Sequence, residues 1–169
     1  MMDTADLKLR DALPGDLSKI VEIYNSTIPG RMVTADTEPV PVQSRVKWFE
    51  DHSADFRPIW VLEYRSEVCG WLSFQSFYGR PAYNATAEIS IYIHSNYRRN
   101  GFGQYLLKKA VDSCRALGIK TLLGFIFAHN EPSLRLFYKF GFTGWGCLPK
   151  VAELDGAERD VVIVGKRVY

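Results

Sequence analysis

The run A-T-A-E-I-S-I-Y-I-H, residues 85–94, constrains this chain more than any other. Ala87, Ile89, Ile91 and Ile93 alternate strictly with Thr86, Glu88, Ser90 and Tyr92. A period of two belongs to an extended strand with one face on a core and the other on solvent or a cleft. It also puts a carboxylate, Glu88, in mid-strand, one residue from an isoleucine face. Such a group is paired, hydrated or functional. On this residue alone, a cross-strand ion pair is favoured over catalysis.

The run R-R-N-G-F-G, residues 98–103, follows, and then a helical pattern over roughly 104–117. Leu106, Leu107, Ala110, Val111 and Cys114 form its inward face, and Gly118 stops it. In the turn, Gly101 and Gly103 leave backbone N–H groups open, and the helix start adds unpaired N–H groups and a positive dipole end. Arg98 and Arg99 add full charges. This combination suits a diphosphate-type anion. An ordinary strand-to-helix turn with solvated arginines is the plain alternative. The spacing is neither G-x-G-x-x-G nor G-x-x-x-x-G-K-[ST], so the dinucleotide and nucleoside-triphosphate fingerprints are absent.

Around this centre the pattern predicts a strand at 7–10, then a helix capped by Asp11 or Asp16 and carrying Leu17, Ile20, Val21 and Tyr24 inward. A loop at 28–41 precedes a second helix through Val42, Val46 and Phe49, ending near His52. Strands at 59–64 and 68–75 form a hairpin, and 77–84 is an aromatic-rich loop. A buried strand at 121–127 leads to a helix opened by Asn130-Glu131-Pro132 and ended by Gly141. Two strands, near 142–148 and 160–168, close the chain. The order β-α-α-β-β-β-α-β-α-β-β predicts the α/β (α+β) class, a mixed sheet with helices on its faces.

With 169 residues, 47% of them hydrophobic, one domain with a single core is expected, and disorder is excluded. Lysine and arginine total 21 against 19 acidic residues, a net +2 that gives no reason to expect nucleic acid or an anionic membrane as partner. No stretch approaches the ~20 apolar residues of a membrane span, and the first residues lack a signal-like apolar core, so a cytoplasmic protein is expected. Cys69, Cys114 and Cys147 form no C-x-x-C and read as free, mostly buried thiols. His52, His94 and His129 lack ligand spacing, so no metal site is expected.

The strand carboxylate followed by R-R-N-G-F-G resembles the core motif of the GNAT-superfamily acetyltransferases. The later N130-E-P-S-L-R-L-F-Y-K-F-G-F resembles that family's N-x-x-[SA]-x-x-L-[YH]-x-x-x-G-F block. R80-P-A-Y-N-A-T-A-E88 is similar to the phosphinothricin and methionine-sulfoximine acetyltransferase branch. The resemblance spans essentially the whole chain. It implies a single N-acetyltransferase domain over 1–169, with a mostly antiparallel sheet of about seven strands and about four helices.

It further implies acetyl-coenzyme A as acetyl donor and a small-molecule amine, an amino acid or an analogue, as acceptor. Ile91, Tyr92 and Ile93 would present main-chain groups to the pantetheine arm. Arg98, Arg99, Asn100, Gly101, Phe102 and Gly103 would hold the diphosphate, and Asn130 would hydrogen-bond near the thioester. Glu88 would be the general base, directly or through a water. Arg80, Tyr83 and Phe77 would contact the acceptor, and a homodimer is implied. Two alternatives stay open: a protein or peptide acceptor, and a catalytically weak acyl-coenzyme A sensor. The latter is motivated by Phe137, which stands where the family carries the Tyr or His that protonates the departing thiolate.

Overall fold

The structure, a computed structural model, describes residues 4–169. Its elements run β1 Leu7–Asp11, α1 Leu17–Thr27, α2 Val46–Glu50, β2 Ile59–Tyr64, β3 Glu67–Ser76, β4 Thr86–Ile93, α3 Phe102–Ser113, β5 Thr121–Phe127, α4 Glu131–Lys139, β6 Thr143–Leu154 and β7 Ala157–Arg167. This is the expected order. The seven strands make one sheet, β1-β2-β3-β4-β5-β7-β6, in which β4 and β5 are the parallel pair and every other neighbour is antiparallel.

Helices cover both faces. On one, Leu106, Leu107 and Ala110 of α3 and Phe137 of α4 pack against Leu72, Phe74, Ala87 and Ile89 of the sheet. Truncating one of these fully buried leucines costs about 2–5 kcal/mol. On the other face, Ile20 and Ile23 of α1 meet Ile59, Val61 and Trp71, with Trp48 of α2 and Tyr92 at the edge. The alternation read from 85–94 is therefore a division between two helix-covered faces, and the polar face meets a cleft rather than open solvent.

Four local expectations change. Asp16 does not cap α1: its carboxylate accepts from Arg10 (2.7 and 2.9 Å) and from the Leu13 N–H (2.7 Å), pinning β1 to the helix entry. The second helix is split into a 3-10 turn at 42–45 and the short α2. The third helix, α3, begins at Phe102 and ends at Ser113, earlier than the expected 104–117. The closing strands are longer than expected and form a hairpin through Asp155-Gly156, both at positive φ (53° and 78°). Asp-Gly is a strong signal for that two-residue turn. The strand ends were masked because β6 is mostly exposed and is interrupted by register shifts near Gly144 and Leu148.

Candidate active site

The site begins where the parallel pair comes apart. Pairing of β4 with β5 covers only Thr86, Ala87 and Glu88, opposite Thr121, Leu122 and Leu123. Pairing of β4 with β3 continues to Ile93. The Ala85 carbonyl accepts from Lys120 and Thr121 on the β5 side (2.8 and 3.1 Å), whereas the His94 N–H donates to the Cys69 carbonyl on the β3 side (2.9 Å). Peptide groups alternate in direction along a strand, so those of odd-numbered residues point toward β5. Ile91 and Ile93 thus hold main-chain groups out toward the gap with no strand partner. Tyr92, expected to join them, turns its peptide groups toward Trp71 of β3.

The gap opens into a groove of about 560 Å3 lined by Ile91, Ile93, Phe125, Asn130 and the Arg98–Gly103 turn. Two residues of that turn, Arg99 and Gly101, are left-handed, at φ 63° and 81°. Gly101 stands at the N-cap of α3 and supplies no side-chain cap. The Asn100 amide donates instead to the Tyr97 carbonyl (3.1 Å). The first N–H groups of α3 are therefore left for a ligand, beside the exposed Arg98 and Arg99. The two glycines serve different ends. Gly101 is needed for its φ, since its missing Cβ would meet nothing within 4 Å. Gly103 lies close against α4, where a Cβ would stand 3.2 Å from Cδ2 of Leu136 and press that side chain back by a few tenths of an ångström. Phe102 itself is buried in the core under the turn.

Glu88 is half-buried at the last paired position, opposite Gln75 of β3 and Leu123 of β5. Among the described residues no cation pairs with it, which removes the ion-pair reading. Burial holds its carboxyl above the ordinary carboxylate range. It ends a ladder of cross-strand pairs on one face: Trp71 with Tyr92, Ser73 with Ser90, and Gln75 with Glu88. Trp71 and Tyr92 stack at 4.5 Å. Over the ladder, α1 and the 42–50 segment leave a second cavity of about 120 Å3, walled by Tyr24, Arg45 and Trp48. Ser90 and Tyr92 line both cavities, which therefore meet along β4.

Asn130 caps α4 as expected, its side chain accepting from the Ser133 N–H (3.3 Å). Its amide also donates to the Met32 carbonyl (3.0 Å), and His129 Nε2 bonds the Arg31 carbonyl (2.7 Å). The 28–41 loop is thereby latched over the groove, where Met32 and Val33 join the lining. Sequence patterns did not single out this loop. Phe137 faces the groove at 6% exposure, whereas Tyr138 turns outward at 46%. Phe77, Tyr83 and the exposed Arg80 lie outside both cavities, with the rings clustered at 5.5 Å.

Arg57, buried and among the described residues without an acidic partner, donates to Ser76 Oγ (3.2 Å) and the Asn84 carbonyl (2.8 Å). It clamps both ends of the 77–84 loop and so sets where β4 starts. A lone arginine before Pro58 carries no signal of this. Of the thiols, Cys69 and Cys114 are buried and Cys147 is exposed. Burial pushes the first to about 11 and the second to about 12. His52 and His94 are also tied to main chain, at Trp48 and Asn96. Among the described residues, no helix is long and apolar enough to cross a membrane.

The acetyltransferase (GNAT) family matches residues 18–142. YwnH of Bacillus subtilis (strain 168), whose name assigns it provisionally to the phosphinothricin acetyltransferases, is 51% identical over 163 residues, 96% of this chain and 99% of YwnH. The L-amino acid N-acyltransferase MnaT of Escherichia coli (strain K12) is 27% identical over 158 residues, 94% of this chain and 92% of MnaT. A phosphinothricin acetyltransferase from Sinorhizobium meliloti, solved in complex with acetyl-coenzyme A, superposes with a TM-score of 0.89 at 27% identity, covering 96% of this chain and 88% of that one. A family match across most of the sequence, joined to a splayed parallel pair beside an uncapped glycine turn, has one meaning: the chain belongs to the GNAT family of acetyltransferases.

Proposed function

We propose that residues 1–169 work as one acetyl-coenzyme A-dependent N-acetyltransferase domain. Its acceptor is the primary amine of a small molecule, an amino acid or an analogue such as phosphinothricin or methionine sulfoximine. The observation that carries this is the end of β4–β5 pairing at Glu88. It leaves a free peptide edge and an open helix N-terminus along one groove that begins at Ile89, the residue after the Glu88 carboxylate.

The residues present fit the donor. Arg98, Arg99, Asn100, Gly101, Phe102 and Gly103 offer backbone N–H groups and charge to a diphosphate. Ile91 and Ile93 offer main-chain groups to an extended amide-bearing arm, as an added strand would use them, with Tyr92 as the wall between the cavities. Asn130 has an amide hydrogen to spare beyond its bond to Met32. Acetyl-coenzyme A supplies the activated acyl group.

Glu88 takes the proton from the acceptor ammonium. An alkyl amine with a pKa near ~10 is neutral in only about one part in a thousand at pH 7, a cost of roughly 4 kcal/mol. A carboxylate held above its ordinary range is a better base for that task. Phe137 offers no proton to a departing thiolate. Since a thiol pKa is ~8.5, leaving unprotonated costs only about 2 kcal/mol, so chemistry is slowed rather than prevented. Arg80, with Phe77 and Tyr83, lines neither cavity and is assigned to the acceptor's carboxylate through the chemistry of its planar fork alone.

The buried thiols support a cytoplasmic setting. The exposed edge strand β6, with Trp145 and Val151, supports a homodimer. Calorimetric titration with acetyl-coenzyme A, followed by an acceptor screen, tests the proposal. Saturable binding and turnover of at least one amine are expected. Absence of any association with the donor overturns it.

A further inference from the structure

The smaller cavity has no part in holding the donor, yet it shares Ser90 and Tyr92 with the groove that does. Its floor is the ladder that ends at Glu88. Glu88 itself lines neither cavity, but its cross-strand partner Gln75 and the next residue on its face, Ser90, both line this one, so a molecule whose amine lies at Glu88 has this cavity as adjoining space for its remaining atoms. At about 120 Å3 the cavity is a little smaller than the roughly 150 Å3 that admits benzene. It has room for a side chain of a few heavy atoms.

The walls are Ile20, Val21 and Val40 with the rings of Tyr24, Trp48 and Trp71, and they contain one charge, Arg45. Arg45 is fixed from behind. Its Nη2 donates to Asp36 (3.0 Å), and its guanidinium lies over the Tyr24 ring at 5.0 Å. Tyr24 in turn hydrogen-bonds Asp36 and Thr34. Among the described residues, Nε and Nη1 of Arg45 donate to nothing. A planar cation held in place with open donors at the end of a slot that mixes apolar walls with Ser73, Gln75 and Ser90 is a receptor for an anionic tip on a short stem.

We infer that this cavity selects the acceptor by its side chain, with Arg45 as the specificity-determining residue for an anionic tip such as a phosphinate. The inference rests on the proposed N-acetyltransferase reading. It gives two arginines two separate tasks: Arg80 meets the carboxylate beside the reacting amine, and Arg45 reads the far end of the side chain. Trp48 and Trp71, whose rings meet edge to face at 5.5 Å, form one wall of the slot against the stem.

The test uses phosphinothricin, with an anionic tip, and L-norleucine, with an apolar one, on the intact chain saturated with coenzyme A. Binding is measured by calorimetry, and turnover separately with acetyl-coenzyme A. Arg45→Met is expected to raise Kd and KM for phosphinothricin at least tenfold, to leave norleucine within about twofold, and to leave the KM for acetyl-coenzyme A unchanged. Arg45→Lys, which keeps the charge but loses the fork, is expected to recover part of the loss and guards against a folding defect. Arg80→Met is expected to weaken both acceptors alike. An unchanged phosphinothricin-to-norleucine ratio in Arg45→Met overturns the inference, as does failure of the wild type to bind phosphinothricin. Binding that follows Arg45 without turnover of any amine would leave the inference standing and strike the catalytic reading instead.

Discussion

The two cavities that meet along β4 are built in opposite ways. The larger groove is made chiefly of main chain: the unpaired edge of Ile91 and Ile93, the left-handed turn at Arg99 and Gly101, and the uncapped start of α3. The smaller pocket is made of side chains from α1, the 42–50 segment, β3 and β4. Main-chain groups are the same in every residue, so a groove of this kind suits a ligand common to a whole family. Side chains change one at a time, so a pocket of the second kind can be retuned without disturbing the first. Glu88 lines neither cavity and stands one rung beyond Ser90, where the two meet. Variants at Glu88 should therefore act on kcat, variants in the groove on the donor's KM, and variants in the pocket on the acceptor's KM.

The largest expected effect is at Glu88. Glu88→Gln should lower kcat by about 10²-fold or more, the usual worth of a positioned base, with both KM values little changed. Its optimum should move to higher pH, because the reaction would then depend on amine that is already neutral. Unchanged kinetics would remove Glu88 from the mechanism. In the wild type, the acid limb of kcat/KM should lie above the ordinary carboxylate range, in the direction burial imposes.

Next is the groove. Gly101 sits at φ 81°, where a Cβ costs roughly 1–2 kcal/mol. Gly101→Ala should raise the KM for acetyl-coenzyme A about tenfold while leaving the acceptor's KM alone. A change in the acceptor term instead would break the division between the two cavities. Phe137→Tyr, which returns a hydroxyl to the groove wall, should raise kcat several-fold. The ceiling is set by the roughly 2 kcal/mol cost of expelling an unprotonated thiolate. Initial rates at saturating substrates would read it.

Arg98→Ala should weaken the donor only a few-fold, and the loss should shrink as salt rises, because the side chain is exposed. The smallest effect concerns stability. Glu88 has its carboxyl raised by burial, so the folded state binds its proton more tightly than the unfolded chain does. Its favourable contribution is present below the ordinary carboxylate pKa and is lost as pH rises through the raised one. Glu88→Gln should therefore gain slightly on the wild type in thermal unfolding at neutral pH, and the gain should vanish in acid. An equal gain at all pH values would show that burial of the charge is not its source.

Much of the groove was legible from the chain alone. The period-two run, the glycine turn and the helix after it are consecutive in sequence, and each is specified by short-range backbone preferences. Asn130 was legible as a helix cap for the same reason, although its second bond, to Met32, joins residues far apart in the chain. The pocket was not legible. Tyr24, Arg45, Trp48 and Trp71 come from separate elements, and none belongs to a local pattern. Arg80, Phe77 and Tyr83 are candidates through a branch resemblance and their side-chain chemistry, yet they lie outside both cavities. The β6–β7 hairpin was blurred for a third reason. An exposed edge strand with register shifts carries little alternation to read, so only its Asp-Gly turn marks it.

By itself the sequence determined what each short stretch can be: an alternating strand, a glycine turn that leaves backbone N–H groups open, and a helix that follows it directly. These depend on rotations within a few residues. Only the tertiary structure decided where β4 and β5 part, and that parting turns Ile91 and Ile93 outward while keeping Tyr92 bonded to β3. It also decided that α1 and the 42–50 segment leave a slot beside Glu88. A gap is a place where pairing stops and packing leaves room, and both depend on residues brought together from across the whole chain.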